Sequence, residues 1–201
     1  MSVKNKFYSM IYAIGRPLVL LWHPIVLEGK ENLPDRPVLL CANHSHACDP
    51  VLLCAALQQD FPIRIMAKKQ LFRTPLVGAF LRKLGAFPVD RGNSDIAAVR
   101  LSIQSLRDGW SLLVFPEGTR VKKVGTVDAK GGAIMIAIRA GVDLLPVFID
   151  RSKKPFRKVR IVIGKPYTPQ YTGRKGTAEE YQANADEIVR QAYALGGIRW
   201  K

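Results

Sequence analysis

The chain has 201 residues, 48% of them hydrophobic and 23% charged, and its 31 Lys and Arg against 16 Asp and Glu leave a net charge of +15. That apolar content excludes an intrinsically disordered chain, and three cysteines exclude a disulfide-built scaffold and favour a reducing compartment. The charge surplus selects polyanionic partners: nucleic acid, anionic lipid, phosphorylated substrates or an acidic carrier protein.

Residues 7–28 are strongly apolar but are broken by Gly15-Arg16-Pro17 and again by His23-Pro24. No uninterrupted run reaches the roughly 18–20 residues of a spanning helix. Two short helices joined near Arg16–Pro17 are expected instead. Tyr8, Tyr12 and Trp22 suit a lipid–water boundary, and Lys4, Lys6 and Arg16 would meet anionic headgroups. Residues 1–28 are therefore read as a membrane-associating segment lying in the interface, and residues 29–201 as the domain it serves. Packing of that segment on the domain core and a true membrane span are the competing readings.

Past residue 36, apolar runs of strand length alternate with amphipathic helical patterns. Strands are expected at 37–42, 62–67, 86–89, 110–115, 144–149 and 159–163. Asp49–Pro50 reads as the cap and first residue of one helix, and Thr74–Pro75 opens another that closes at Gly85. Ser94 is expected to cap a helix running to Asp108, with Ile96, Val99, Ile103 and Leu106 on its buried face. Helices follow at 131–140, stopped by Gly141, and from the Thr177 cap to Leu195. This alternation predicts an α/β sandwich, with a largely parallel or mixed sheet flanked by helices.

Open α/β sheets place their sites beyond the carboxyl ends of strands, and polar clusters follow three of these strands. Asn43-His44-Ser45-His46-Ala47-Cys48-Asp49 comes first. On one ideal helix His44 and Asp49 would splay by about 140°, whereas a strand–turn–helix can fold them together. Asp49 would then fix one imidazole nitrogen and leave the other as a general base. In the competing reading Asp49 only caps its helix and His44 is a solvated loop residue. The second cluster is Phe115-Pro116-Glu117-Gly118-Thr119-Arg120, where glycine admits a close ligand and Thr119 and Arg120 suit a phosphate; an ordinary strand exit is the alternative. The third, Gly85 to Gly92, delivers Asp90 and Arg91 to a strand end, where Arg91 holds a phosphate or simply pairs with Asp90. Four zinc ligands drawn from Cys41, His44, His46 and Cys48 would be strained within eight residues, so no metal is expected. Cys48 adjoins Asp49, which disfavours a thiolate there.

In their order, Asn43–Asp49 (NHxxxxD), Gly85–Arg91, Phe115–Arg120 (FPEGTR) and Leu145-Pro146-Val147 resemble the blocks of the glycerolipid acyltransferase family, specifically 1-acyl-glycerol-3-phosphate acyltransferases. The resemblance spans roughly residues 28–165. His46 and Val121 depart from it, standing where the family often has Ser or Thr.

The resemblance implies the family's αβα sandwich, with His44 as the base and Asp49 orienting it. Arg91, Arg120 and Lys68 would hold the acceptor phosphate, with Glu117, Gly118 and Thr119 shaping that subsite; a solvated Lys68 is the alternative. The acceptor would be lysophosphatidic acid, acylated on its sn-2 hydroxyl to phosphatidic acid. The donor would be acyl-CoA or acyl-carrier protein, attacked directly, with no cofactor. No G-x-S-x-G elbow for a covalent intermediate occurs in the chain. Peripheral or monotopic attachment to the cell membrane is implied, with the site on the cytoplasmic face.

Residues 151–176 carry nine basic residues and no acidic one. They suit an anionic membrane, coenzyme A phosphates or an acidic carrier, a solvated face being the plainer reading. Other acceptors, glycerol-3-phosphate or a lyso-aminolipid, fit the same chemistry. A basic nucleic-acid-binding module is the rival from another class, but no nucleic-acid motif supports it.

Overall fold

A computed structural model describes residues 6–57, 61, 63–90 and 95–201. Seven strands form one sheet: β1 (Ile25–Glu28), β2 (Leu39–Ala42), β3 (Ile63–Lys68), β4 (Phe87–Val89), β5 (Ser111–Val114), β6 (Leu144–Ile149) and β7 (Val159–Ile163). Their spatial order is β1-β7-β6-β2-β5-β3-β4. Every neighbouring pair is parallel except β6 with β7. The helices are α1 (Lys6–Trp22), α2 (Asp49–Ala56), α3 (Pro75–Lys83), α4 (Ile96–Arg107), α5 (Gly132–Ala140) and α6 (Ala178–Leu195).

Residues successive along a strand point to opposite faces, and both faces here are buried. Leu39, Cys41, Leu112, Val114 and Leu144 pack with Ile134 and Ile136 of α5 and Ile188 and Val189 of α6. Leu40, Ala42, Leu113, Leu145 and Val147 pack with Leu52 and Leu53 of α2, against which Val19 of α1 also rests. Apolar strands and the three-layer arrangement are one fact: a strand covered on both sides has no position for a polar residue.

Some local expectations are corrected. Residues 6–22 form one helix, not two, and it runs through Pro17. Proline forfeits one helical hydrogen bond, but Arg16 Nε donates to Ala55 O of α2 at 3.1 Å and Val19 packs on the core, so both flanks of Pro17 are held. The last residues of the apolar N-terminal stretch form β1, which pairs with β7. Asp95 caps α4, its carboxylate accepting from Ala98 N at 2.9 Å; Ser94, expected in that role, lies outside the described residues. The face α4 buries is small-sided, with Ala98, Ser102 and Ser105 beside Leu106, while Ile96 is 64% exposed. Ser102 can face the core because its hydroxyl donates back to Ala98 O at 2.7 Å.

Candidate active site

The sheet order puts β2 between β5 and β6. Parallel neighbours end at one edge, so the loops after residues 42, 114 and 149 meet there. Asn43 fastens the first to the third. Its side-chain amide donates to Ile149 O at 2.9 Å and its carbonyl accepts from Ile149 N at 2.7 Å, as a further strand residue would.

His44 follows and is buried, its ring stacked on Phe115 with centroids 4.0 Å apart. Nδ1 lies 2.9 Å from Asp49 Oδ2. The turn through residues 45–48 brings this about, for Ser45 N and His46 N both donate to the same carboxylate oxygen at 2.8 Å. Cys48 occupies the cap position and Asp49 is the first helical residue, a correction to the expected cap. The carboxylate is thus free to turn back onto the loop that precedes it. Asp49 is fully buried. Burial acts to raise its carboxyl, but the bond from His44, the charge of Lys153 and the backbone donors outweigh that and hold it below the ordinary carboxylate range. Asp49 is therefore an acceptor, and the proton between the pair belongs to Nδ1.

Lys153, four residues past the Ile149 that ends β6, is grouped by sequence with the docking charges of residues 151–176. Its ammonium is instead buried, 2.7 Å from Asp49 Oδ1 as an ion pair too poorly angled for a good hydrogen bond. Arg160 in the same segment pairs with Glu28. Lys154, Phe156, Arg157 and Lys158 remain exposed.

Glu117 turns inward and is buried. One oxygen accepts from Tyr193 Oη of α6 at 2.9 Å and the other from the His44 backbone N–H at 3.2 Å. Burial pushes its carboxyl up, against the lowering effect of those bonds and of Arg151. Val121 N donates to His44 O at 2.7 Å, so both backbone groups of His44 are held by the 115–121 loop. Gly118 takes a left-handed φ of 68°, where a Cβ would come within 2.9 Å of the Lys130 side chain. Thr119 and Arg120 are exposed beside it. Lys68 is exposed at the end of β3, and Val89 of β4 is its register partner. Lys68, Arg120 and the dyad therefore share one edge of the sheet. Arg91, the other expected phosphate ligand, lies outside the described residues.

An apolar cavity of about 320 Å³ opens beside the dyad. Met66, Val89, Val99, Phe115 and Ile136 line it, and Gly118 and Lys130 stand in its wall. The Phe115 that stacks on His44 is thus also cavity wall. Burial and the Asp49 charge both raise the Cys48 thiol, which keeps it a thiol rather than a nucleophile. Among the described residues no three His, Cys, Asp or Glu side chains are grouped to hold a metal ion.

Residues 24–150 match the family model described as acyltransferase. The chain belongs to this acyltransferase family. It is 35% identical over 148 residues to the 1-acyl-sn-glycerol-3-phosphate acyltransferase of Bacillus subtilis, which covers 71% of this chain and 73% of that protein. The protein of the same name from Borreliella burgdorferi is 34% identical over 155 residues, 76% of this chain and 61% of the other. Among solved structures, the 1-acyl-sn-glycerophosphate (LPA) acyltransferase PlsC of Thermotoga maritima matches with a TM-score of 0.69 at 28% identity, over 100% of this chain and 86% of that one. The mixed seven-stranded sheet is the acyltransferase fold, and this chain is an enzyme of that class.

Sequence reasoning located His44, Asp49 and the 115–120 loop. It missed Tyr193, far off in α6, and the buried Lys153. For Lys153 the available signal was its place just past a strand expected in the parallel sheet, at the edge where sites collect.

Proposed function

We propose that this acyltransferase acylates the free sn-2 hydroxyl of 1-acyl-glycerol-3-phosphate, giving phosphatidic acid, with His44 as its base. The carrying observation is the bond of His44 Nδ1 to a buried, ionised Asp49. With Nδ1–H engaged there, Nε2 is the nitrogen that takes the hydroxyl proton. The substrate oxygen attacks the thioester carbonyl, and Asp49 stabilises the imidazolium. The tetrahedral intermediate collapses, the C–S bond breaks, and the departing thiolate recovers the proton from Nε2. No covalent acyl-enzyme forms. Lys68 and Arg120 at the same sheet edge, with Arg91, hold the acceptor phosphate, and the loop of Glu117, Gly118 and Thr119 frames it. The apolar cavity behind Phe115 suits an acyl chain.

The donor is acyl-CoA or acyl-carrier protein; the exposed Lys154, Arg157 and Lys158 fit the phosphates of the one or the acidic surface of the other. The enzyme acts at an anionic membrane surface as a peripheral or monotopic protein on its cytoplasmic face. Met10, Ile14, Leu18 and Leu21 project outward at helical spacing along α1. Trp22 at its end meets the exposed ring of Phe156, 5.0 Å between centroids, amid basic residues. No helix among the described residues is long and apolar enough to cross a membrane.

Transfer of labelled acyl groups to lysophosphatidic acid, from both donor types, tests the reading on wild type and His44→Ala. Wild-type rates in His44→Ala would refute the base. Faster transfer to glycerol-3-phosphate or a lyso-aminolipid would change the acceptor and keep the chemistry.

A further inference from the structure

We propose that Lys153 is a positioning residue that fixes the Asp49 carboxylate against His44, an inference that rests on the reading of those two residues as base and orienting acid. Its ammonium is 2.7 Å from Asp49 Oδ1 and 2.8 Å from Ser45 Oγ, and it also donates to Asp150 O. Its side chain is 1% exposed. The ammonium donates to two oxygens, Ser45 Oγ and Asp150 O, and sets its charge against the third, Asp49 Oδ1. Ser45 lies on the β2–α2 loop, Asp49 opens α2 and Asp150 follows β6, so one cation joins the two segments that form the site.

The division of labour on Asp49 is what makes this positional rather than merely cohesive. Oδ2 accepts three N–H groups, from Ser45, His46 and His44. Lys153 takes the other oxygen and never competes with the imidazole. Removing it would leave Oδ1 buried without a counter-charge. The carboxylate would then be driven to take a proton or to rotate, and either change costs His44 its acceptor. The neighbouring Lys154 is exposed, which is where a lysine stands when nothing inside needs its charge.

Other charges around Asp49 set the background. Cys48 adjoins it, the His44 ring faces it, and Glu117, Tyr193 and Arg151 lie beyond His44. Besides the His44 ring, Lys153 is the cationic side chain in contact with the carboxylate.

The test is steady-state kinetics of the full chain with lysophosphatidic acid in mixed vesicles, comparing Lys153→Met, Lys153→Arg and His44→Ala with wild type. Lys153→Met should lower kcat by up to about a hundredfold, the scale on which a small misplacement of a reacting group slows a reaction, with KM for the acceptor little changed. The acidic limb of kcat/KM should move to higher pH, because one of the influences holding Asp49 ionised is gone. Lys153→Arg should recover a large part of kcat. Wild-type kcat and pH profile in Lys153→Met overturn the proposal while His44→Ala stays inactive, so the dyad stands. Full activity in His44→Ala overturns both. A lowered kcat with an unmoved acidic limb and no rescue by Arg makes Lys153 a packing residue only, which also overturns it. Should Lys153→Met not fold, Asp49→Asn against the uncharged pair Asp49→Asn/Lys153→Met decides. A lysine acting through Asp49 predicts no further loss in the double variant, and additive losses reject the idea.

Discussion

Tyr193, on the last helix, donates its hydroxyl to one oxygen of Glu117 at 2.9 Å, and the other oxygen of that carboxylate takes the backbone N–H of His44 at 3.2 Å. A carboxylate of the 115–120 loop is thus the bracket between the C-terminal helix and His44. Tyr193→Phe should lower stability by about 1–3 kcal/mol, since it strands a buried acceptor. The pH dependence carries a definite sign. The raised Glu117 carboxyl binds its proton more tightly in the folded chain, so its contribution to stability is complete below about pH 4.3 and is lost as pH rises through the folded value. Tyr193 lowers that value, so the gap between wild type and Tyr193→Phe should widen with rising pH, as urea unfolding at several pH values will measure.

His44→Ala should lower acyl transfer by about a thousandfold or more, and the thermal midpoint should fall as well, because the ring is buried on Phe115 and bonded to Asp49. Rate and melting curve on one preparation check both halves.

Asp49→Asn separates charge from shape. The Asp49 carboxyl is held below its ordinary range, so its stabilising contribution is present above about pH 3.9 and is lost as pH falls through the folded value. The stability advantage of wild type over Asp49→Asn should therefore shrink in acid, read by denaturant titration. Activity should fall at every pH.

Asn43→Ala removes two hydrogen bonds and leaves Ile149 N–H and C=O buried without partners. A loss of about 2–4 kcal/mol is expected from two such groups, with a fall in kcat because the 44–49 and 150–153 segments are then joined only through Lys153 among the contacts described. Calorimetry and the transfer assay check this.

Val99→Phe fills part of the cavity behind Phe115. Rates with long-chain donors should fall by tenfold or more while short-chain donors are spared, a discrimination of about 1–3 kcal/mol, the size one misfitted methylene gives in an apolar pocket. A donor series of graded chain length gives the result.

The central strands were legible because burial on both faces leaves unbroken apolar runs such as Leu144–Ile149, which stands where expected. The Thr177 cap marked α6 equally well, and the structure completes it as a capping box with Glu180. Strand β1 was hidden, since Ile25–Glu28 continues the apolar texture of α1 and no local pattern separates a helix end from a strand start across His23-Pro24. At the site, the His44 and Asp49 pairing could be read from spacing because a short turn decides it. Lys153 and Tyr193 reach the same place from 109 and 149 positions later in the chain, counting from residue 44. Their role follows from strand order, which no local signal carries. A lysine in a basic stretch looks like a surface charge until its neighbours are known.

Strand β2 is made early in the chain, yet both of its sheet neighbours are made late. During synthesis, then, residues 43–49 emerge without the carboxylate of residue 117, the carbonyl of residue 149 or the ammonium of residue 153. A ribosome-bound chain cannot hold His44, Asp49 and Lys153 in their final arrangement until residue 153 has been translated, so products that stop short of it should be inert rather than leaky.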